Sequence, residues 1–556
     1  MKTIDIYCEN TGQEKSYPLG TSLFEIAEDL KDQLRMKVCG AYVNNKVREL
    51  SFEIVKPKNI RFFGLNETDG MRIYIRSLFF LFYVAFKKVC PGARLIIDHA
   101  ISNGYYCEIE DLKCDNHAGM VRQIKEEMTL MVTKDLPIVR NGIKMSELLE
   151  AYEKQGLHDK VMLFSKTGWL YGYAYFLDGY INYFHGHMLP STYYLQTFDV
   201  EPFDNGLLLR LPDDKDFGRL QDFVPEHKLF GIFREHQQWA ELIGIDHIGK
   251  LNQAVDQGRV GEIIKISEAL HEKKIAEIAT AIAGNPNKIR LVLIAGPSSS
   301  GKTTFSKRLA IQLAVCGKTP RTLSVDNYFV DREHTPRDEN GHYDFEALEA
   351  IDIDFFNQQL VDLFEGRRVD LPKFDFTTGQ RSFNGHTLQL GPNDILIVEG
   401  IHALNPDLIP RVDHSLTYRI FISALTSLSI DDHNPIPTTD NRLIRRIIRD
   451  AKYRGYPALE TLHRWRSVRR GEEKNIFPHQ EKADVMFNSA LLYELGVLKK
   501  YAEPLLKSVP EDQPEYAEAL RLLKFLNYFR SMEDHEIPPT SLIREFLGGS
   551  SFSYKD

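Results

Sequence analysis

The octet Gly296-Pro297-Ser298-Ser299-Ser300-Gly301-Lys302-Thr303 constrains this chain more than any other stretch, because it matches G-x-x-x-x-G-K-[ST] and is flanked as that pattern requires. The apolar run from Ile289 to Ala295 reads as a buried strand, and the run from Thr304 to Val315 reads as a helix. A glycine loop between a strand and a helix turns consecutive backbone N–H groups toward an anion, and the helix N-terminus adds positive potential. On this reading Gly296, Ser298, Ser299, Ser300, Gly301, Lys302, Thr303 and Thr304 cradle phosphates. Lys302 reaches the β- and γ-phosphates, and the Thr303 hydroxyl ligates Mg²⁺. An ordinary flexible loop would need neither the strand nor the helix.

At 556 residues the chain exceeds what one hydrophobic core organises, so two to four domains are expected. A formal net charge of −9 argues against a generally nucleic-acid-binding surface and leaves room for a local basic patch. The six cysteines, Cys8, Cys39, Cys90, Cys107, Cys114 and Cys316, form no C-x-x-C pair, which suits reduced thiols in a cytoplasmic protein. The longest apolar run, Leu78 to Phe86, is too short for a bilayer and reads as a buried helix, so neither a membrane span nor a signal peptide is expected.

Five segments are expected. Residues 1–65 alternate in short runs: a strand at Thr3 to Tyr7, a helix from Leu23 to Leu34, and Val38 to Val43 ending in an Asn44-Asn45 hairpin turn. Residues 66–225 mix strands and helices, with an aromatic-rich helix from Tyr74 to Val89 and a strand-like stretch from Val161 to Phe176. Residues 226–285 carry helical periodicity and read as a helical connector. Residues 286–505 alternate strand and helix, which implies a parallel α/β sheet. Residues 506–556 form a tail with one helix, from Tyr516 to Phe529.

Three further features follow the loop at spacings that suit phosphoryl transfer. The strand from Thr322 to Val325 ends in Asp326, and in open α/β sheets the carboxyl ends of strands face the ligand crevice. A carboxylate there can take the proton of an attacking hydroxyl, although a turn or cap role is the competing reading. The strand from Ile395 to Val398 ends at Glu399, placed to hold Mg²⁺ directly or through water. Arg442, Arg445, Arg446 and Arg449 share one face of a helical stretch that continues to Arg454. A charge run is usually a solvated face, but beside a triphosphate it can neutralise the transferred group as a lid closes.

The stretch from 289 to about 490 resembles the uridine kinase and phosphoribulokinase family of P-loop kinases. The resemblance rests on residues 296–304, 324–329, 343–348, 371–376 with Arg381, 397–404, 440–450 and 483–485. It implies a P-loop NTPase fold, ATP and Mg²⁺. Lys302, Asp326, Arg445 and Arg449 would be catalytic, with Asp326 the general base and the two arginines in a mobile lid. The acceptor would meet Asp326, Asp344, Phe374, Arg381 and Arg442, with Asp344 and Arg442 holding sugar hydroxyls. Thr303 and Glu399 would hold the metal. Where family uridine kinases carry a Tyr and a His that read the pyrimidine, this chain has Phe374 and Gly379.

Residues 1 to about 62 are similar to the small β-grasp module called TGS, and residues from about 71 to 200 to the editing-type second domain of threonyl-tRNA synthetases. The fold class expected for the whole chain is therefore α/β, a P-loop sheet preceded by a β-grasp and an α+β domain. At the positions where that second domain carries its H-x-x-x-H and C-x-x-x-H residues, this chain has Arg76, Phe80, Phe184 and Met188, so no editing chemistry is expected. His185 and His187 lie nearby, and a core or solvent role outweighs metal binding for them. The leading functional reading is an ATP-dependent kinase acting on a small hydroxyl compound, most of all a nucleoside, in a cytoplasmic protein able to form homo-oligomers. The alternative is an RNA- or tRNA-associated regulator using the P-loop as a nucleotide sensor. A GTPase is disfavoured, since N-K-x-D is absent and the second strand ends in Glu399-Gly400.

Overall fold

In the computed structural model, described for residues 2–112, 117–213, 215–338, 341, 343–375 and 378–554, the phosphate loop sits at the carboxyl edge of an all-parallel five-stranded sheet. Its strands run in the order Thr319–Ser324, Asp394–Glu399, Leu291–Ala295, Thr417–Ser423, Val485–Asn488. The central strand is buried along its whole length because helices cover both faces, which explains its unbroken apolar run. The helix Lys302–Val315 starts directly at the loop. Cys114 and Phe376, both named from the sequence, lie outside the described residues.

Ahead of this sheet, residues 3–63 form a mixed five-stranded sheet in which Thr3–Cys8 lies antiparallel to Gln13–Pro18 and parallel to Lys58–Phe63. The alternation of Thr3–Cys8 turns Ile4 and Ile6 inward onto Leu23 and Ile26. Ser22 and Glu25 form a reciprocal capping box. The helix expected from Leu23 to Leu34 is two, Leu23–Asp29 and Lys31–Leu34, interrupted at Leu30. The Asn44-Asn45 turn is present, with φ of 47° and 57°, the left-handed values that asparagine tolerates.

The helix Thr68–Val89 carries the aromatic run and is buried from Leu78 to Phe86. It packs beside an antiparallel sheet ordered Asp199–Phe203, Gly206–Arg210, Gly104–Glu110, Arg94–Ile101. A second sheet pairs Tyr171–Leu177 with Val139–Lys144 and Tyr180–Asn182. The stretch from 161 to 176 departs from its expected extended form: His158–Phe164 is a helix and only Tyr171–Leu177 is strand. The apolar positions Val161, Leu163 and Phe164 serve a helix face, and a run this short does not separate the two periods. Three helices, His227–Ile243, Ile248–Asp256 and Val260–Ala283, lead into the parallel sheet. Among the described residues no helix is long and apolar enough to cross a membrane.

The two halves of the chain share a core. One apolar cluster takes in Phe63, Phe86, Leu443, Ile447, Phe525 and Leu547. The ladder Ser429–Asp431 with Asn434–Pro435 also reaches from the C-terminal half into the N-terminal half. There Asp432 pairs with Arg94 through two bonds of 2.7 Å and its carbonyl accepts from Ile97. The fully buried Lys160 ammonium lies 2.9 Å from Asp431, 3.2 Å from Asp159 and 3.1 Å from His433 Nδ1. Burial opposes that charge, but Asp159 and Asp431 more than offset it, so the ammonium is held above its ordinary range.

Candidate active site

The loop takes its shape from positions where a side chain is excluded or a left-handed backbone is needed. A Cβ at Gly296 would lie 2.1 Å from the Ile422 carbonyl, so the loop passes this strand only as glycine. Ser299 and Gly301 hold φ of 60° and 86°, which turns the backbone amides inward. Lys302 folds back to donate to the carbonyls of Gly296 and Pro297 at 2.9 and 3.2 Å. The amide of Ser298 donates to Glu472 at 3.1 Å, and Thr304 offers its amide and hydroxyl to Glu545. Carboxylates thus already stand in for anions on the loop's donors, so the cradle fits phosphates.

Asp326 is half-buried one turn beyond the edge strand, and Glu399 ends the neighbouring strand, accepting from Ser324 at 2.8 Å. Burial pushes Glu399 up to about 7, the negative charge of Asp326 adds to the rise, and Lys302 opposes it. The Asp326 and Glu399 carboxylates, near enough for one to raise the other, and the Thr303 hydroxyl are hard oxygen donors. Mg²⁺ is commonly held by one or two carboxylates plus substrate phosphates, so this set fits it. Among the described residues no group of three His, Cys, Asp or Glu side chains is placed to hold a metal by itself.

The arginine helix spans Thr438–Arg449 and continues as one π-helical turn, Asp450–Arg454. Its stripe is not a solvated face. Arg442 and Arg445 are almost wholly buried: Arg442 donates to the Ser298 carbonyl at 3.1 Å and pairs with Glu472, while Arg445 pairs with Glu494 and donates to the Ser489 carbonyl at 2.8 Å. Arg446 reaches the Ser298 hydroxyl at 2.8 Å. Asp450 gathers three guanidinium groups, Arg449 at 3.0 Å, Arg446 at 3.3 Å and Arg454 at 3.5 Å. Arg449 beside it, and then burial, lower Arg454 to about 10.

On the acceptor side Phe374 and Arg381 face each other across a two-stranded ladder, and the Phe374 amide donates to Asn327, the residue after Asp326, at 3.4 Å. Asp344 accepts from the Glu346 amide at 3.1 Å. Phe374 is buried, its ring 5.5 Å from that of Phe329. Arg381 pairs with Asp352 at 2.9 Å and lies over the Phe355 ring. Gly379 has φ of 74°, and a Cβ there would lie 2.7 Å from the Arg332 guanidinium, which covers that position. Sequence reasoning missed Glu346, Glu472 and Asp450, and the tail residues Glu545 and Tyr554. Glu346 is pushed up to about 7 by burial, with Arg446 opposing, and it feels the charges of Glu472, Lys302 and Asp326. Its place two residues beyond Asp344 was the available signal. Nothing in the sequence tied the tail to the loop.

Residues 291–491 match the Phosphoribulokinase / Uridine kinase family. The C-terminal half holds a P-loop kinase domain of this family. Over 197 residues the chain is 29% identical to the uridine kinase of Staphylococcus aureus strain JH9, covering 35% of this chain and 86% of that one. The enzyme of strain Newman matches to the same extent. A solved structure described as a possible uridine kinase from Bacillus stearothermophilus shares 21% identity over 39% of this chain and 98% of its own, with a TM-score of 0.28.

In the N-terminal half, Phe80, Phe184 and Met188 are packing residues, with the Phe80 and Phe184 rings 5.4 Å apart. Arg76 donates to the His187 carbonyl at 3.0 Å. His433, from the C-terminal half, lies 4.5 Å from the Tyr83 ring and 6.4 Å from Phe184. His185 sits 3.2 Å from the Tyr528 hydroxyl, and His187 3.5 Å from Glu49.

Proposed function

We propose that the protein is an ATP-dependent kinase that transfers the γ-phosphoryl group to a hydroxyl of a small acceptor, a nucleoside before other classes. The observation that carries this reading is the charge set around the loop: Lys302 on the loop's own carbonyls, Arg446 on the Ser298 hydroxyl, three guanidiniums gathered on Asp450, and the Asp326 carboxylate close enough to act on Glu399 and Arg454. Asp326 takes the acceptor's proton as its oxygen attacks. Lys302, Arg446 and Arg449 neutralise charge on the phosphoryl group in transit, while Arg442 and Arg445 shape the loop through Ser298 and Ser489. Mg²⁺, held by Thr303 and Glu399, would offset phosphate charge. Asp344 and Arg381 remain the candidates for holding acceptor hydroxyls, and the uridine kinases among the relatives support a nucleoside.

The test is a screen of nucleosides and sugar phosphates with full-length protein, reading ADP formation. ADP release that depends on an added nucleoside is expected. ADP release without dependence on any hydroxyl acceptor would contradict the reading.

A further inference from the structure

Both ends of the phosphate loop are held by the chain's own carboxylates, and one of them arrives from the far C-terminus. Thr304, in the first turn of the helix after the loop, donates its amide to Glu545 Oε2 at 3.2 Å and its hydroxyl to the same oxygen at 2.7 Å. The Tyr554 hydroxyl lies 2.9 Å from that Thr304 oxygen, and Ser550 holds the phenol at 3.0 Å.

The segment that brings these groups is anchored ahead of its last turn. Leu542 is fully buried, joins the cluster of Phe305 beneath the loop, and would lie 3.3 Å from a Cβ at Gly301. The Phe546 ring packs 5.1 Å from the Arg445 guanidinium, and Lys452 donates to the Leu547 carbonyl. Gly548 has φ of 84°, and a Cβ there would meet Lys452 Nζ at 2.2 Å, so only glycine lets the chain turn here. Beyond this turn the Ser551 amide donates to the Pro539 carbonyl at 2.9 Å and the Tyr554 hydroxyl meets that of Thr304.

A carboxylate and a nucleotide phosphate are both acceptors and cannot share one N–H and one hydroxyl at the same time. We propose that the Glu545–Tyr554 segment is an intramolecular competitor of the nucleotide, a stopper on Thr304 that leaves when a phosphate takes its donors. The proposal rests on the reading of this loop as a nucleotide site. Glu545 swings aside while Leu542, Phe546 and Leu547 stay seated, and residues 549–554 come away from the loop.

The experiment is an ADP titration of the full-length protein, of Glu545→Gln, and of a chain ended after Gly549. Gln keeps the size of the side chain but loses the charge, and bonds to charged groups are about twice as strong as neutral ones. ADP affinity should rise by about tenfold in Glu545→Gln, the scale of one charge-assisted bond, and by less in the shortened chain, which keeps Glu545 and loses only the neutral Tyr554 contact. Amide hydrogen exchange of residues 549–554 should speed up when ADP binds the parent protein. Unchanged or weaker ADP binding in both variants overturns the stopper and leaves the nucleotide site standing, provided the parent binds ADP and Lys302→Ala does not. Absence of ADP binding in every form, the shortened chain included, overturns both.

Discussion

Around Lys160 and around Asp450 the protein buries charge clusters of opposite composition: carboxylates gather on cations at the first, and guanidiniums gather on a carboxylate at the second. At the junction of the two halves, Lys160 and Arg94 face Asp159, Asp431 and Asp432, and each cation has carboxylate oxygens within 3.2 Å. Asp431 also accepts from the Asn434 amide at 2.8 and 2.9 Å. At the loop mouth, Arg446, Arg449 and Arg454 gather on Asp450. The charge of Arg449, and then burial, depress Arg454 to about 10. Carboxylates gathered on buried cations join two halves of the fold, whereas guanidiniums gathered beside a row of backbone donors can receive an anion.

The contrast can be broken from either side. Lys302→Ala should reduce phosphoryl transfer by about 10²–10³-fold or more, since a preorganised charge on the phosphates is lost. Its melting temperature should stay near that of the parent, because the Lys302 ammonium bonds to two carbonyls of its own loop and joins no apolar core. Lys160→Met should do the reverse: removing one partner of a buried pair costs about 3–5 kcal/mol. Calorimetric melting reads that loss, and turnover measured well below the transition should remain within about twofold, a shift too small to implicate the site. Arg449→Ala should fall between them, with turnover lowered by about tenfold to a hundredfold and little change in melting. A melting loss as large as that of Lys160→Met would move Arg449 into the structural class.

The smallest expected effect is in pH dependence. Glu399 binds its proton up to about pH 7 in the fold, against an ordinary value of 4.5. Its folded pKa is raised, so the fold binds this proton more tightly than the unfolded chain does. Its contribution to stability is therefore greatest below about pH 4.5 and declines as pH rises to about 7. The melting temperature of nucleotide-free parent protein relative to Glu399→Gln should fall across that window. A difference that rises with pH would reverse the assignment.

The loop and the parallel sheet were legible because their signals are local: a fixed glycine spacing, a continuous apolar strand, and acidic residues one step past strand ends. The buried state of Arg442 and Arg445 was not legible, since their partners Glu472 and Glu494 lie outside the helix and a charge run carries no mark of burial. Helix and strand were confused from 161 to 176 because a short apolar run satisfies both periods. The insertion of His433 beside Phe184, and the reach of Glu545 to Thr304, depend on packing between segments hundreds of residues apart.

The central claim is that the loop mouth is a site of phosphoryl transfer with Asp326 as its base, and Asp326→Asn tests it most directly. Turnover with saturating acceptor and nucleotide affinity by titration are measured on the same full-length variant. Removing a general base costs about 10²–10⁴ in rate, and Asn preserves the size of the side chain. The account predicts a turnover loss in that range with ATP affinity changed by less than about threefold. ATP affinity falling as steeply as turnover would contradict it, placing Asp326 in the metal–nucleotide site and leaving Asp344 or Glu346 to serve as the base.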